Sequence, residues 1–115
     1  MPKLIDREIF DSLRELESEQ DPHFVKNFFN LYLDAIPKIL EQIQYGLSEN
    51  NAELLESSAH ALKSSSVNAG ATSLGELCAD LEKLARAQNL NEFREKQLGL
   101  KSLIEQTRQE ILSLI

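Results

Sequence analysis

Every long segment of the chain repeats its apolar residues at the period of an α-helix, and none alternates as a strand does. The broadest case lies between Phe24 and Leu47. There Phe24, Val25, Phe28, Phe29, Leu31, Tyr32, Leu33, Ile36, Ile39, Leu40 and Ile43 cover more than half of a helix circumference. Such a helix packs on several sides. Pro37 sits inside it, which predicts a kink or a break, because the ring removes one donor and crowds the preceding turn. The apolar pattern keeps its phase across Pro37, which favours one kinked helix.

The other segments are narrower. Asp6 is placed to cap a first short helix with Ile9, Phe10, Leu13 and Leu16 on one stripe, ending near Glu19. Asp21-Pro22 predicts the restart of the chain as the second helix, with an N-cap residue and then Pro at the first position. Asn50 and Glu53 have capping-box spacing for a third helix reaching Asn68, with Leu55, Ala59, Leu62 and Ser66 inward and Gly70 as its stop. A fourth runs from Thr72 to Gln88 with a seam of Leu74, Leu77, Cys78, Leu81, Leu84 and Ala85. After a turn at Asn89-Leu90-Asn91, the last helix places Phe93, Gln97, Leu100, Ile104, Thr107, Ile111 and Leu114 along one seam. The connections are short, so consecutive helices run antiparallel. The expected architecture is all-α: an up-down-up-down antiparallel four-helix bundle with a short extra N-terminal helix, forming one domain over residues 1–115.

Composition narrows the chemistry. Twelve Lys and Arg face nineteen Asp and Glu, a net charge of −7, which disfavours nucleic acid and anionic membranes as partners. One cysteine allows no internal disulfide, no apolar run is long enough to span a bilayer, and the start at Met1 has no secretory h-region. A cytoplasmic protein is expected. The four glycines are not spaced as a phosphate loop or a dinucleotide fingerprint. His23, His60 and Cys78 lack metal-ligand spacing, so neither a cofactor nor a metal is expected. With no Trp and few aromatics there is no stacking platform for bases. Cys78 reads as a small core hydrophobe, and His23 as a surface residue at a helix start.

One stretch departs from the rest. Residues 59–71 read Ala-His-Ala-Leu-Lys-Ser-Ser-Ser-Val-Asn-Ala-Gly-Ala, and three successive serines are poor in a helix interior. At about 100° per residue, His60 lies roughly 160° from Leu62 and points out of the core. Lys63, Ser64 and Val67 share its face, with Glu56 and Ser57 one turn earlier. A solvent-facing imidazole beside a cation and a small residue can accept a phosphoryl group. A free imidazole titrates near ~6.5 and is largely neutral and nucleophilic at neutral pH. The cation offsets the added charge, and the small residue leaves room for a second protein. The competing reading is a surface histidine with unrelated neighbours.

His60-Ala61-Leu62-Lys63-Ser64-Ser65-Ser66, followed by Asn68-Ala69-Gly70-Ala71 and Leu74, resembles the signature of histidine-containing phosphotransfer (HPt) domains. That signature reads H-x-L-K-[GS]-[SA]-[SA] with Gly-Ala starting ten residues after the histidine. Pro22-x-Phe24-Val25, Leu31-Tyr32-Leu33 and Pro37 are similar to the first bundle helix of the family, so the resemblance covers residues 21–86. Many members carry glycine where this chain has Ser64, which is still small.

The resemblance implies a four-helix bundle that carries a phosphoryl group on histidine between receiver-domain aspartates in a multistep two-component phosphorelay. It implies His60 as phosphoacceptor through Nε2, Lys63 as phosphoryl support and Ser64 as the residue that permits partner approach. Glu56, Ser57 and Val67 are the candidate docking residues. It further implies no ATP binding and no independent kinase activity, the acids and Mg²⁺ of the transfer belonging to the partner receiver. The partners expected are receiver domains of response regulators or of a hybrid histidine kinase, and the chain is expected to be a monomer.

Antiparallel geometry places residues 36–40 and 80–82 beside His60, and partner contacts are expected from both stretches. One or two of the phenylalanines between Phe24 and Phe29 are candidates for an apolar docking patch. The alternative function is a noncatalytic helical adaptor that uses the His60 face only to bind. The phosphoacceptor half of a histidine kinase is a third and weaker reading, since 115 residues leave no room for a nucleotide domain. The start at Met1 and a complete final helix favour a stand-alone protein.

Overall fold

A computed structural model describes residues 4–115, and Met1, Pro2 and Lys3, at the start discussed above, lie outside it. Six helices follow one another: α1 (Arg7–Arg14), α2 (Phe24–Ser48), α3 (Ala52–Asn68), α4 (Thr72–Arg86), α5 (Leu90–Lys96) and α6 (Leu100–Leu114). Among the described residues there is no strand, only an isolated bridge between Ile5 and Ala71, and no helix long and apolar enough to cross a membrane. Helices α2, α3, α4 and the α5–α6 arm form the four-helix bundle, with α1 lying against α2.

The core follows the apolar seams. Phe29, Leu55, Leu62, Leu74, Leu81, Phe93, Leu100 and Ile111 are fully enclosed, and Cys78 is buried among them. Burial pushes the Cys78 thiol up to about 12, so it stays protonated and acts as a small apolar filler. Phe10 stacks on Phe29 at 5.7 Å between centroids, which fastens α1 to α2. Helix α2 continues through Pro37 as one element.

Several expected boundaries move. Helix α1 ends at Arg14 rather than near Glu19, and Leu16 is 60% exposed instead of lying on the buried stripe. Asp6 does cap it, accepting from the amides of Glu8 and Ile9. Helix α2 begins at Phe24, not at Pro22, and Asp21 does not cap it. Asp21 instead trades backbone hydrogen bonds with Ser18, while the Glu17 carboxylate reaches across the loop to accept from the Val25 amide. The cap of α3 is Asn51, which accepts from the Leu54 amide, and not Asn50. Asn50 takes a left-handed φ of 52° and closes α2. Helix α4 ends two residues early at Arg86, and Asn89 caps α5, which starts at Leu90, inside the expected turn. A 3₁₀ turn at Gln97–Gly99 interrupts the expected single last helix.

The α3–α4 connection is the tightest part of the frame. Gly70 has φ +77°, a conformation that suits glycine, and the Ala71 amide folds back on the Ser66 carbonyl at 2.8 Å. A Cβ on Gly75 would sit 3.2 Å from Cγ2 of Val67, so the absent side chain lets α4 approach α3 closely. The N-terminal segment seals this end. Asp6 donates its amide to the Gly70 carbonyl at 2.8 Å, and Glu110 of α6 accepts from the Leu4 and Ile5 amides at 3.1 and 2.7 Å.

Candidate functional site

The three successive serines of α3, Ser64, Ser65 and Ser66, divide their tasks. Ser66 faces inward and shares a 2.6 Å hydrogen bond with the Tyr32 hydroxyl, which ties α2 to α3. Burial pushes the Tyr32 phenol up to about 12, against the opposing effect of that hydrogen bond. Ser65 donates to the Leu62 carbonyl of its own helix. Ser64 is exposed and leaves the surface beside His60 low. The poor helix propensity of this run is thus offset at Ser66 by a satisfied buried pair and is useful at Ser64 for its small size.

His60 lies on the outer face of α3 with its side chain 58% exposed, while its neighbours Ala59 and Leu62 are fully buried. Its Nδ1 is 2.7 Å from Oε2 of Glu82, which projects from α4. Glu82 is enclosed, with a side chain only 7% exposed, and three groups gather on it. Lys63 donates to Oε1 at 2.6 Å; His60 and Arg86 meet on Oε2, the latter at 3.3 Å. Arg86 also donates through Nε to Glu56 at 2.9 Å. The Lys63 hydrogen bond, more than the one to His60, holds the Glu82 carboxyl below the usual carboxylate range despite its burial.

That ionisation decides the tautomer of the ring. A carboxylate only accepts hydrogen bonds, so Nδ1 must carry the proton. In the neutral imidazole Nε2 is then left with its lone pair free. A shallow depression of about 400 Å³ opens beside the ring, lined by Glu53, Glu56, Ser57, His60, Glu82 and Arg86.

The residues singled out in the sequence fall in two groups. His60, Ser57, Ser64 and Val67 are exposed on one side of α3, Val67 at 55%. Glu56 and Lys63 are half-buried and are engaged with α4, through Arg86 and Glu82 respectively. In the 80–82 stretch, Asp80 turns away to pair with Lys96 at 3.3 Å. Glu82 is buried, and its carboxylate is engaged by His60 and Lys63. Sequence reasoning missed Glu82 as the residue that holds His60, and missed Arg86 entirely. The signal available was their i, i+4 spacing on α4, with Glu82 one turn after the core residue Cys78.

Of the candidate aromatic patch, Phe29 is core while Phe24 and Phe28 are half-buried and pack on each other. Leu31 is 73% exposed on the same helix. His23 is exposed at the start of α2 and caps nothing with its side chain. Among the described residues no three His, Cys, Asp or Glu side chains gather as a metal site.

The chain is thus a helical bundle with an exposed histidine on α3 hydrogen-bonded to a carboxylate on α4. The Hpt domain family matches residues 27–110, and the chain belongs to that family. It is 26% identical over 111 residues to multistep phosphorelay regulator 1 of Schizosaccharomyces pombe, an alignment covering 96% of this chain and 36% of the relative. The chain therefore spans about a third of the length of that relative. The crystal structure of histidine-containing phosphotransfer protein B from Pseudomonas aeruginosa PAO1 shares the fold, with a TM-score of 0.69. The two are 24% identical, and the match covers 97% of this chain and 88% of that one.

Proposed function

We propose that this protein relays a phosphoryl group between receiver-domain aspartates in a multistep phosphorelay, with His60 as the carrier. The observation that carries this reading is the hydrogen bond from Nδ1 of an exposed His60 to the ionised Glu82. In the reaction, the Nε2 lone pair attacks the phosphorus of an aspartyl phosphate. The N–P bond forms as the P–O bond breaks, and the aspartate leaves with the electron pair. The proton stays on Nδ1, and the positive charge that develops on the ring lies 2.7 Å from Glu82. Return of the phosphoryl group to a second receiver reverses these steps, so the same carboxylate serves both directions.

Lys63 anchors Glu82 from the opposite oxygen and keeps it ionised. Ser64 keeps the approach to the ring open, and Ser57 and Val67 lie on the exposed face where a receiver would dock. The acids and Mg²⁺ that polarise the phosphoryl group belong to the receiver, and this chain supplies an aligned nucleophile as a monomer. The protein is a carrier without kinase activity of its own.

The test is a two-receiver relay without nucleotide. Label on one phosphorylated receiver should pass to this protein and on to a second receiver. Stable complexes that form without passage of label would instead support the adaptor reading.

A further inference from the structure

Four polar or charged side chains are buried among the described residues: Ser58, Ser66, Glu82 and Thr107. Thr107 donates to the Leu103 carbonyl of its own helix. The other three all join α3 to a neighbour. Glu82 holds α3 to α4 through His60 and Lys63. Ser66 and Ser58 hold α3 to α2, Ser66 through the Tyr32 hydroxyl at 2.6 Å and Ser58, more loosely, through the Gln42 side chain at 3.5 Å. His60 lies between the two serines in sequence, so the stretch of α3 that carries it is tied to α2 on both sides.

A buried pair such as Tyr32 and Ser66 adds little net stability over apolar groups of the same shape. What it adds is direction. The contacts of Phe29, Ile36, Leu55, Ala59 and Leu62 are apolar and non-directional, so they tolerate a small slide or rotation of one helix on the other. An O–H···O bond holds only within a few tenths of an ångström. The 2.6 Å contact therefore fixes the height and rotation of α3 against α2. A buried polar pair with both members satisfied specifies one arrangement of the core around it.

That register matters because a receiver would meet both helices. The nucleophile stands on α3. On α2, the exposed Leu31 and the half-buried Phe28 lie within one turn of Tyr32. A slide of α3 along α2 would leave each helix intact, yet it would move His60 relative to that apolar surface.

Resting on the reading of His60 as phosphoacceptor, we propose that Tyr32 and Ser66 are positioning residues for transfer from a receiver. Their hydrogen bond sets His60 at the height on α2 where the aspartate of a docked receiver meets it. Neither side chain touches the phosphoryl group or the receiver, and both act through the placement of α3.

The experiment compares wild type with Tyr32→Phe, Ser66→Ala and the double variant, using two phosphoryl donors. Phosphoramidate is small and needs no docking surface, whereas a phosphorylated receiver does. Ser66→Ala strands a buried phenol and should lower the melting temperature by about 5 °C or more, and adding Tyr32→Phe should recover most of that loss. All three variants should accept from phosphoramidate at the wild-type rate. With the receiver, kcat should fall roughly 10-fold in all three, the double variant included, with KM unchanged. Wild-type transfer in the double variant, or a kcat that recovers together with the melting temperature, would overturn the proposal while leaving His60 as acceptor. Equal losses with both donors would place the fault at the ring itself and would also overturn it. No phosphohistidine at residue 60 of the wild type with either donor would overturn both readings.

Discussion

Glu82 and Glu110 each engage both carboxylate oxygens, yet they bind different things. Glu110 accepts from the backbone amides of Leu4 and Ile5, with Arg7 at 3.8 Å, and so fastens the N-terminal segment to α6. Its main partners are fixed by the fold and cannot change charge. Glu82 accepts from the side chains of Lys63, His60 and Arg86, of which His60 and Arg86 are more than half exposed. Its partners can rotate away, gain charge or meet another molecule. A carboxylate spent on backbone amides is structural, whereas one spent on side chains around an exposed imidazole can take part in a reaction. Removing either should therefore damage a different property.

The largest effect should come from crowding the Glu82 side. Ser64→Arg or Ser64→Leu should slow transfer from a phosphorylated receiver by on the order of 100-fold, because a displacement of ~1 Å at the reacting atoms is enough. Ser64→Gly should transfer normally, and circular dichroism should show unchanged helicity in all three. Next, Glu82→Gln should slow transfer by roughly 10- to 100-fold, the worth of a charge-assisted hydrogen bond to a ring that becomes cationic. Glu110→Gln should transfer at the wild-type rate. Equal losses of rate in the two variants would erase the distinction between them.

Stability should show the reverse. Glu110→Gln leaves one amide of the Leu4-Ile5 pair without an acceptor, and should lower the melting temperature by about 5 °C or more. The smallest effect is the acid dependence of Glu82. Its folded-state pKa is lowered, chiefly by Lys63, so its contribution is full above the unfolded value near ~4.3 and is lost as pH falls through the lower folded value. Melting temperatures of wild type and Glu82→Gln should therefore draw together as pH falls below the unfolded value and meet once it passes the lower folded value. A gap that widens on acidification would mean that Glu82 is protonated in the folded protein.

The bundle was legible because burial follows helical period. Leu55, Ala59, Leu62, Ser66, Leu74, Cys78, Leu81, Phe93, Leu100, Ile104, Thr107 and Ile111 all lie where their spacing put them. Helix ends were less so, because their competitors are local and equal. Asn50 and Asn51 are both able to cap, and only the left-handed turn of Asn50 decides between them. Glu17 displaced Asp21 through a contact across eight residues that no cap pattern encodes. The break at Gln97–Gly99 left the seam in phase, so periodicity could not reveal it. His60 stood out through its exposure beside a buried stripe. Glu82 did not, because a charged residue flanking an apolar seam looks like a solvated one until α3 and α4 are placed together.

The central claim is that Glu82 leaves Nε2 of His60 as the nucleophile. Its most direct test is heteronuclear NMR of the protein after phosphorylation by a receiver, with ¹⁵N-labelled histidine. The account predicts phosphorus coupled to Nε2 of His60, a proton retained on Nδ1, and no phosphohistidine in a folded His60→Gln variant. Phosphorus on Nδ1 of His60, on His23, or persisting in His60→Gln would contradict it.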